Sequence, residues 1–460
     1  MLTKYLSDKE NVKWLVLVAA LLISALLPVG GAFTVELKEF FIVVVFAVLS
    51  CGMGMMDNLM IGILIPLGFC IFNLAPAGTI YEGWTGTTPM VTFGSLLLAV
   101  VLEETGLLKR ISLFCITKTG GTYRGACYGV LFAVLVCSFL TSCNVMFVFA
   151  VLAYGVVKTL NLKQGLAAAG IMFAAMIGTI TAQNCIYYPA AIGILLSSAS
   201  SETLTVSVSW FPSMINTFPA LLLDVFLVWF MLKFVIKAPQ IDAREELNRQ
   251  YAELGKISRN EIKAIVVIIG IVVSLVLSQW TGMDTAWPFL TAPWLFFIPG
   301  LRTCGYDSLK KVNIGMVFLV AGFLSIGAVA NYLGIGRMLS QWVMPLYEGQ
   351  PLIVVVLLTI LLGVAANFAL TPFAMYTAFA GMLANIFTSL GLGALGSLYI
   401  LQFTGDMIIF PYESLVYLVY MSFGAVSMKD YMKLYSIKLL ITAVWIVVIM
   451  VPWWRMLGVL

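Results

Sequence analysis

The 460-residue sequence contains no histidine. That absence excludes His-ligated zinc, Ser/His/Asp triads and imidazole proton relays. Charge is also scarce. Only 10% of the residues are Asp, Glu, Lys or Arg, where an ordinary soluble domain carries about a quarter. A soluble fold with so little charge would have an insoluble surface, whereas a bilayer solvates apolar surface directly. Cysteine pairing is missing too. The eight cysteines (Cys51, Cys70, Cys115, Cys127, Cys137, Cys143, Cys185 and Cys304) form no CxxC motif. Most lie in apolar segments and read as small packing residues, not as a disulfide framework. The basic residues are scattered, so no nucleic-acid partner is expected.

What the sequence does have is apolar length: 62% of its residues are hydrophobic. Runs long enough to span a bilayer occur at about 12–30, 39–56, 59–76, 165–198, 210–236, 263–281, 312–332, 397–425 and 436–454. Two further runs, 90–105 and the proline-rich 286–300, bring the expected spans to about eleven. The first run follows Lys4, Lys9 and Lys13 without a convincing small-residue cleavage site, so it reads as a retained span. The fold expected is an all-α polytopic membrane protein.

Two long apolar segments, 124–157 and 351–387, are interrupted near their middles. The first is broken by Thr141-Ser142-Cys143-Asn144, the second by Gly363-Val364-Ala365-Ala366-Asn367. Basic residues decide how to thread them, because Lys and Arg favour the inside face. If each interrupted segment is a re-entrant hairpin and the N-terminus is inside, 22 of the 25 Lys and Arg residues fall inside, Lys429, Lys433 and Lys438 among them. Only Lys38, Arg337 and Arg455 fall outside. Treating either segment as a single span would flip every later loop.

The one long polar stretch, 238–262, is expected to be a cytoplasmic linker. It follows an N-terminal span (1–38) and a first repeat (39–237) and precedes a second repeat (263–460). Gly94 to Gly106 (GSLLLAVVLEETG) matches Gly322 to Gly334 (GFLSIGAVANYLG), and Asn144 and Asn367 occupy matching places in the hairpins. One hairpin would enter from inside and the other from outside. Such inverted repeats with broken helices are a device of secondary transporters.

Each hairpin is followed by a span with its own break. One is expected over Gly178–Asn184, running on to Tyr187-Tyr188-Pro189. The other is Thr404-Gly405-Asp406 with Phe410-Pro411-Tyr412-Glu413. Unwound carbonyls and amide oxygens suit a hard cation such as sodium, and helix N-termini suit an anionic group. Asn144 and Asn367 are therefore candidate ligands, with Ser142, Thr371, Asp406 and Glu413 as nearby oxygens. The plainer reading of each asparagine is an interhelical hydrogen bond. Asp406 and Glu413 could bind a cation or carry a proton. Glu103 and Glu104, close to Lys109 and Arg110, suit a structural salt bridge, and Asp224 has no evident partner.

Several of these segments resemble the divalent anion/sodium symporter family of the ion transporter superfamily, bacterial members included. They are VLEETGLLKRISL (101–113), the hairpin positions Cys143-Asn144-Val145 and Ala366-Asn367-Phe368, and FPYESLVYLVYMSFGAVSMKDYMKLY (410–435). The resemblance implies a sodium-coupled transporter of a di- or tricarboxylate or another small anion, with no organic cofactor. It implies a multi-pass homodimer in the bacterial cytoplasmic membrane, working by an elevator movement. It places sodium at Ser142, Cys143, Asn144, Cys185, Ala366, Asn367, Thr371, Asp406 and Ile409. It places the solute at Asn144, Val145, Tyr187, Tyr188, Asn367, Phe368, Phe410, Pro411 and Glu413. The sequence departs from the family's Ser-Asn-Thr pattern, since Cys143 and Ala366 replace the serines and Val145 and Phe368 the threonines. The second break reads Pro411-Tyr412-Glu413 in place of Pro-Pro-Asn.

The amphipathic stretches 107–118 and 335–347 read as interfacial helices. Anion/anion exchange and sodium/proton antiport stay open as transport modes. An intramembrane enzyme is the remote alternative: Thr404-Gly405-Asp406 resembles part of an aspartyl protease signature, but Phe403 stands where a glycine is required.

Overall fold

The computed structural model describes residues 9–30, 33–53, 55–119, 122–141, 146–185, 191–200, 204–239, 244–281, 283, 286–368, 372–411 and 414–460. Every regular element among them is helical; the single β-bridge, Gly30 with Phe33, is isolated. Four helical stretches are long and apolar enough to cross a bilayer by themselves: Leu166–Cys185, Trp210–Val235, Ile314–Tyr332 and Met428–Met456. Shorter apolar helices accompany them, including Asn11–Leu26 and Asn58–Ile71. Large apolar side chains such as Leu26, Ile71, Val266, Leu361 and Leu440 point outward. Lipid solvates such a surface and water does not, so this is an all-α polytopic membrane protein.

The two interrupted segments are helix pairs. Tyr123–Thr141 and Met146–Thr159 form the first hairpin, and Leu352–Asn367 and Pro372–Ser389 form the second. Each is followed by a divided span: Leu166–Cys185 with Ala191–Ala199, and Ala394–Thr404 with Leu415–Ser422. The packing is crosswise. The first hairpin contacts Leu166–Cys185 and also Leu415–Ser422 from the other half, while the second contacts Ala394–Thr404 and also Ala191–Ala199. Two buried cores follow this exchange. One joins Val134 and Phe149 to Tyr417 and Tyr420, and the other joins Ile192 and Leu195 to Leu383 and Leu398.

Matching glycines do matching work in the two halves. Gly322 lies in Ile314–Tyr332, against the backbone of Gly62 in Asn58–Ile71, and an added Cβ would collide with it. Gly94 lies in Thr87–Glu104, against the Phe289 carbonyl in Ala286–Thr291, with the same consequence. Gly106 and Gly334 follow with φ of 81° and 67°, a left-handed conformation that costs glycine little. Each turns the chain into an amphipathic helix, Leu107–Lys118 or Ile335–Tyr347, over the residues expected from the sequence.

Three expectations need correction. The helix Leu166–Cys185 runs unbroken through Gly178–Asn184. Its threonines do not unwind it: Thr179 Oγ1 donates to the Ala175 carbonyl at 2.8 Å and Thr181 Oγ1 to Asp224 at 2.9 Å. The helix Leu352–Asn367 likewise continues through Gly363–Ala366 and ends only at Asn367, the last residue of the expected interruption. Gly363 is a packing residue, because a Cβ there would strike Thr404 of the facing helix. The run 286–300 is not one helix either. It divides into Ala286–Thr291 and a 3₁₀ segment, Ala292–Phe297, as expected where Pro293 removes a backbone donor. The linker carries a short helix, Arg244–Glu253.

Candidate functional site

The second break is the better defined of the two. Asn367 is the last residue of its helix and is 1% exposed. Its Nδ2 donates to the Thr404 carbonyl at 2.7 Å and the Met407 carbonyl at 3.4 Å, where Ala394–Thr404 ends; the Thr404 carbonyl also accepts from the Met407 N–H at 2.9 Å. Its Oδ1 is buried with no hydrogen-bond partner among the described residues. Phe368 caps the helix and is exposed, and its ring lies 6.2 Å from that of Phe410. Pro411 is buried, while Ala366 and Ile409 are half-buried. The second hairpin tip and the second divided span thus meet at Asn367, Phe368 and Phe410.

Asp406 sits in the same break as half of a buried ion pair. Lys438 Nζ donates to its carboxylate at 2.5 Å and to its backbone carbonyl at 2.7 Å. Tyr417 donates to the other carboxylate oxygen. Lys438 is 3% exposed within the helix Met428–Trp445. Placing it among the inside loop residues was therefore wrong, which leaves 21 of the 22 Lys and Arg residues assigned to that side. Its signal was available: Lys438 lies within the apolar run 436–454, where an ionisable side chain needs a partner. Gln402 was also missed. Its Nε2 donates to the Asn184 carbonyl at 2.9 Å, which ties the ends of the two divided spans together.

Around the first break, Ser142, Cys143, Asn144, Val145, Tyr187 and Tyr188 lie outside the described residues, as do Thr371 and Glu413 of the second. Cys185 is buried and its thiol faces the Thr217 carbonyl at 3.5 Å. Asp224, in Trp210–Phe230, is 1% exposed. It accepts from Thr181, and its other oxygen has no partner among the described residues.

Glu104, of the acid pair expected near Lys109 and Arg110, finds other partners. Glu104 accepts from Lys311 Nζ at 2.7 Å and from Ser308 Oγ at 2.6 Å. The hydrogen bond to Glu104 and its negative charge raise the pKa of Lys311. Arg110 reaches Glu261 at 2.6 Å and the carbonyls of Leu254, Gly255 and Lys256. The left-handed turn at Gly106 separates the two groups, so neighbours in sequence point apart.

The packed helices, divided spans and paired hairpins bear comparison with known transporters. The crystal structure of the YdaH transporter of Alcanivorax borkumensis, described as having an unusual topology, is similar in fold. It has a TM-score of 0.54 at 16% identity, covering 83% of this chain and 88% of that one. MtrF of Neisseria gonorrhoeae, presented as illuminating a class of antimetabolite efflux pumps, gives a TM-score of 0.49 at 15% identity, over 80% of this chain and 83% of that one. No curated protein matches in sequence. The family model described as the sodium:sulfate symporter transmembrane region matches residues 8–460. The chain is a secondary transporter, not an enzyme, and it belongs to the sodium:sulfate symporter family.

Proposed function

We propose that the protein is a sodium-coupled symporter of a small anion, of the di- or tricarboxylate or sulfate class. The observation that carries this reading is the junction of hairpin tip and broken span at Asn367. There a side-chain amide donates to two backbone carbonyls, and its own oxygen is buried with no partner among the described residues. A cation leaving water must exchange its hydration shell for such fixed oxygens. Asn144 and Asn367 mark the two breaks, and the solute binds between the hairpin tips. With Val145 and Phe368 where the family has threonines, the solute site has fewer hydroxyls and leans on backbone N–H groups.

The reading includes an elevator movement. Hairpins and divided spans travel together, in keeping with their crosswise packing. The scaffold of Asn58–Ile71, Ile314–Tyr332 and their counterparts stays in place and forms a homodimer, with the N-terminus inside. The test is uptake of radiolabelled sulfate, succinate and citrate into proteoliposomes. An inward sodium gradient should drive accumulation of at least one of them, and a potassium gradient should not. Equal uptake in sodium and choline for every anion taken up would overturn sodium coupling.

A further inference from the structure

At the second break the oxygens freed by the end of the helix are already engaged. The Thr404 and Met407 carbonyls accept from Asn367, and the Asp406 carbonyl and carboxylate accept from Lys438. The Lys438 side chain is 4% exposed and that of Asp406 is 11% exposed. The ammonium also lies 5.2 Å from the centre of the Tyr435 ring, on its face. A lysine this deep in a membrane protein is costly unless paired, and here it is paired with one carboxylate and one backbone carbonyl. Those are the two oxygen types that a sodium ion would use.

We propose that the Lys438 ammonium is a tethered cation at the second break. It holds Asp406 and the freed carbonyl where a mobile coupling ion would otherwise bind. The inference rests on the sodium-coupled reading above and narrows it: the Asp406 oxygens are closed to sodium from solution, which is left with the first break and the Asn367 oxygen. Lys438 is then a positioning residue that sets how many cations accompany the solute. Its charge moves with the hairpins and is never released.

Removing the ammonium should create a sodium site. In Lys438→Met the Asp406 carboxylate and carbonyl lose their cation, and sodium can replace it. The test is thermal unfolding of the purified full-length protein in NaCl, KCl and choline chloride at equal ionic strength. Lys438→Met should gain a sodium-specific rise in Tm of about 3 °C beyond any shown by the wild type. Lys438→Arg keeps a tethered cation and should keep the wild-type response. The double variant Lys438→Met/Asp406→Asn has neither charge and should show no gain. In sodium-dependent uptake the Hill coefficient should rise in Lys438→Met above the wild-type value.

An Lys438→Met response identical to wild type in all three salts would overturn the inference and leave sodium coupling standing. So would a single variant that fails to fold in NaCl while the double variant folds. A single variant recovered folded in NaCl but not in KCl would support it. If the wild type ignores sodium while Lys438→Met responds, the tethered cation stands and wild-type sodium coupling falls.

Discussion

Asn367 holds the end of the neighbouring broken helix, donating to the Thr404 carbonyl at 2.7 Å. The hairpin tip and the divided span are thereby one mechanical unit, and a cation or solute that orders either orders both. Gly363, one turn earlier, allows the approach, because a side chain there would strike Thr404.

Replacing Asn367 with alanine removes the amide donor from two buried carbonyls, of which that of Thr404 keeps the Met407 N–H. The expected cost is about 1–3 kcal/mol, equivalent to a roughly five- to hundredfold loss in the population of the closed tip. Sodium-driven uptake should fall by a comparable factor in Asn367→Ala. Expression and monodispersity should be retained, and initial-rate measurements in proteoliposomes check it. Unchanged uptake would make Asn367 a packing residue alone.

Gly62 and Gly322 should tolerate no larger residue. Their backbones meet where Asn58–Ile71 crosses Ile314–Tyr332, and overpacking a close contact costs about 1–3 kcal/mol. Gly322→Val and Gly62→Val should each lower Tm, and the double variant should lower it less than the sum, because either clash already forces the same helix crossing apart. Thermal unfolding in detergent reads this directly. Additive losses would place the two glycines in separate contacts.

Arg110 should be the anchor of the central linker. It binds Glu261 and three linker carbonyls from a nearly buried position, and breaking a buried pair from one side costs about 3–5 kcal/mol. Arg110→Ala should release the segment 238–262 to limited proteolysis much faster than in the wild type. Lys109→Ala, on an exposed neighbour, should not. Equal cleavage rates in the two variants would remove the anchoring role.

Much of this architecture was legible because local chemistry and tertiary packing agree. Gly106 and Gly334 were readable as turns since left-handed backbone needs glycine, and the amphipathic helices after them fall where the pattern puts them. The match of Gly94 with Gly322 was read as a sign of the repeat, and the close helix crossings at both positions are what the structure adds. What the sequence hid depends on distant partners. Gly363 looks like a helix breaker until Thr404 is seen against it. The threonines of Gly178–Asn184 look like an interruption until Thr179 is seen bonded within its own helix. Asp406 was visible as an intramembrane acid, but its partner lies 32 residues away, on the next long helix.

The transport cycle proposed above depends on the two hairpins opening to opposite faces of the bilayer. Single cysteines at Lys158, at the end of the first hairpin, and at Ser389, at the end of the second, test this on a background lacking the eight native cysteines. A membrane-impermeant thiol reagent applied to intact cells, then to inside-out vesicles, reads the side of each. Lys158→Cys should react only in the vesicles and Ser389→Cys only in the cells. Labelling of both from the same side would contradict the inverted arrangement and, with it, the transport site built between the two hairpin tips.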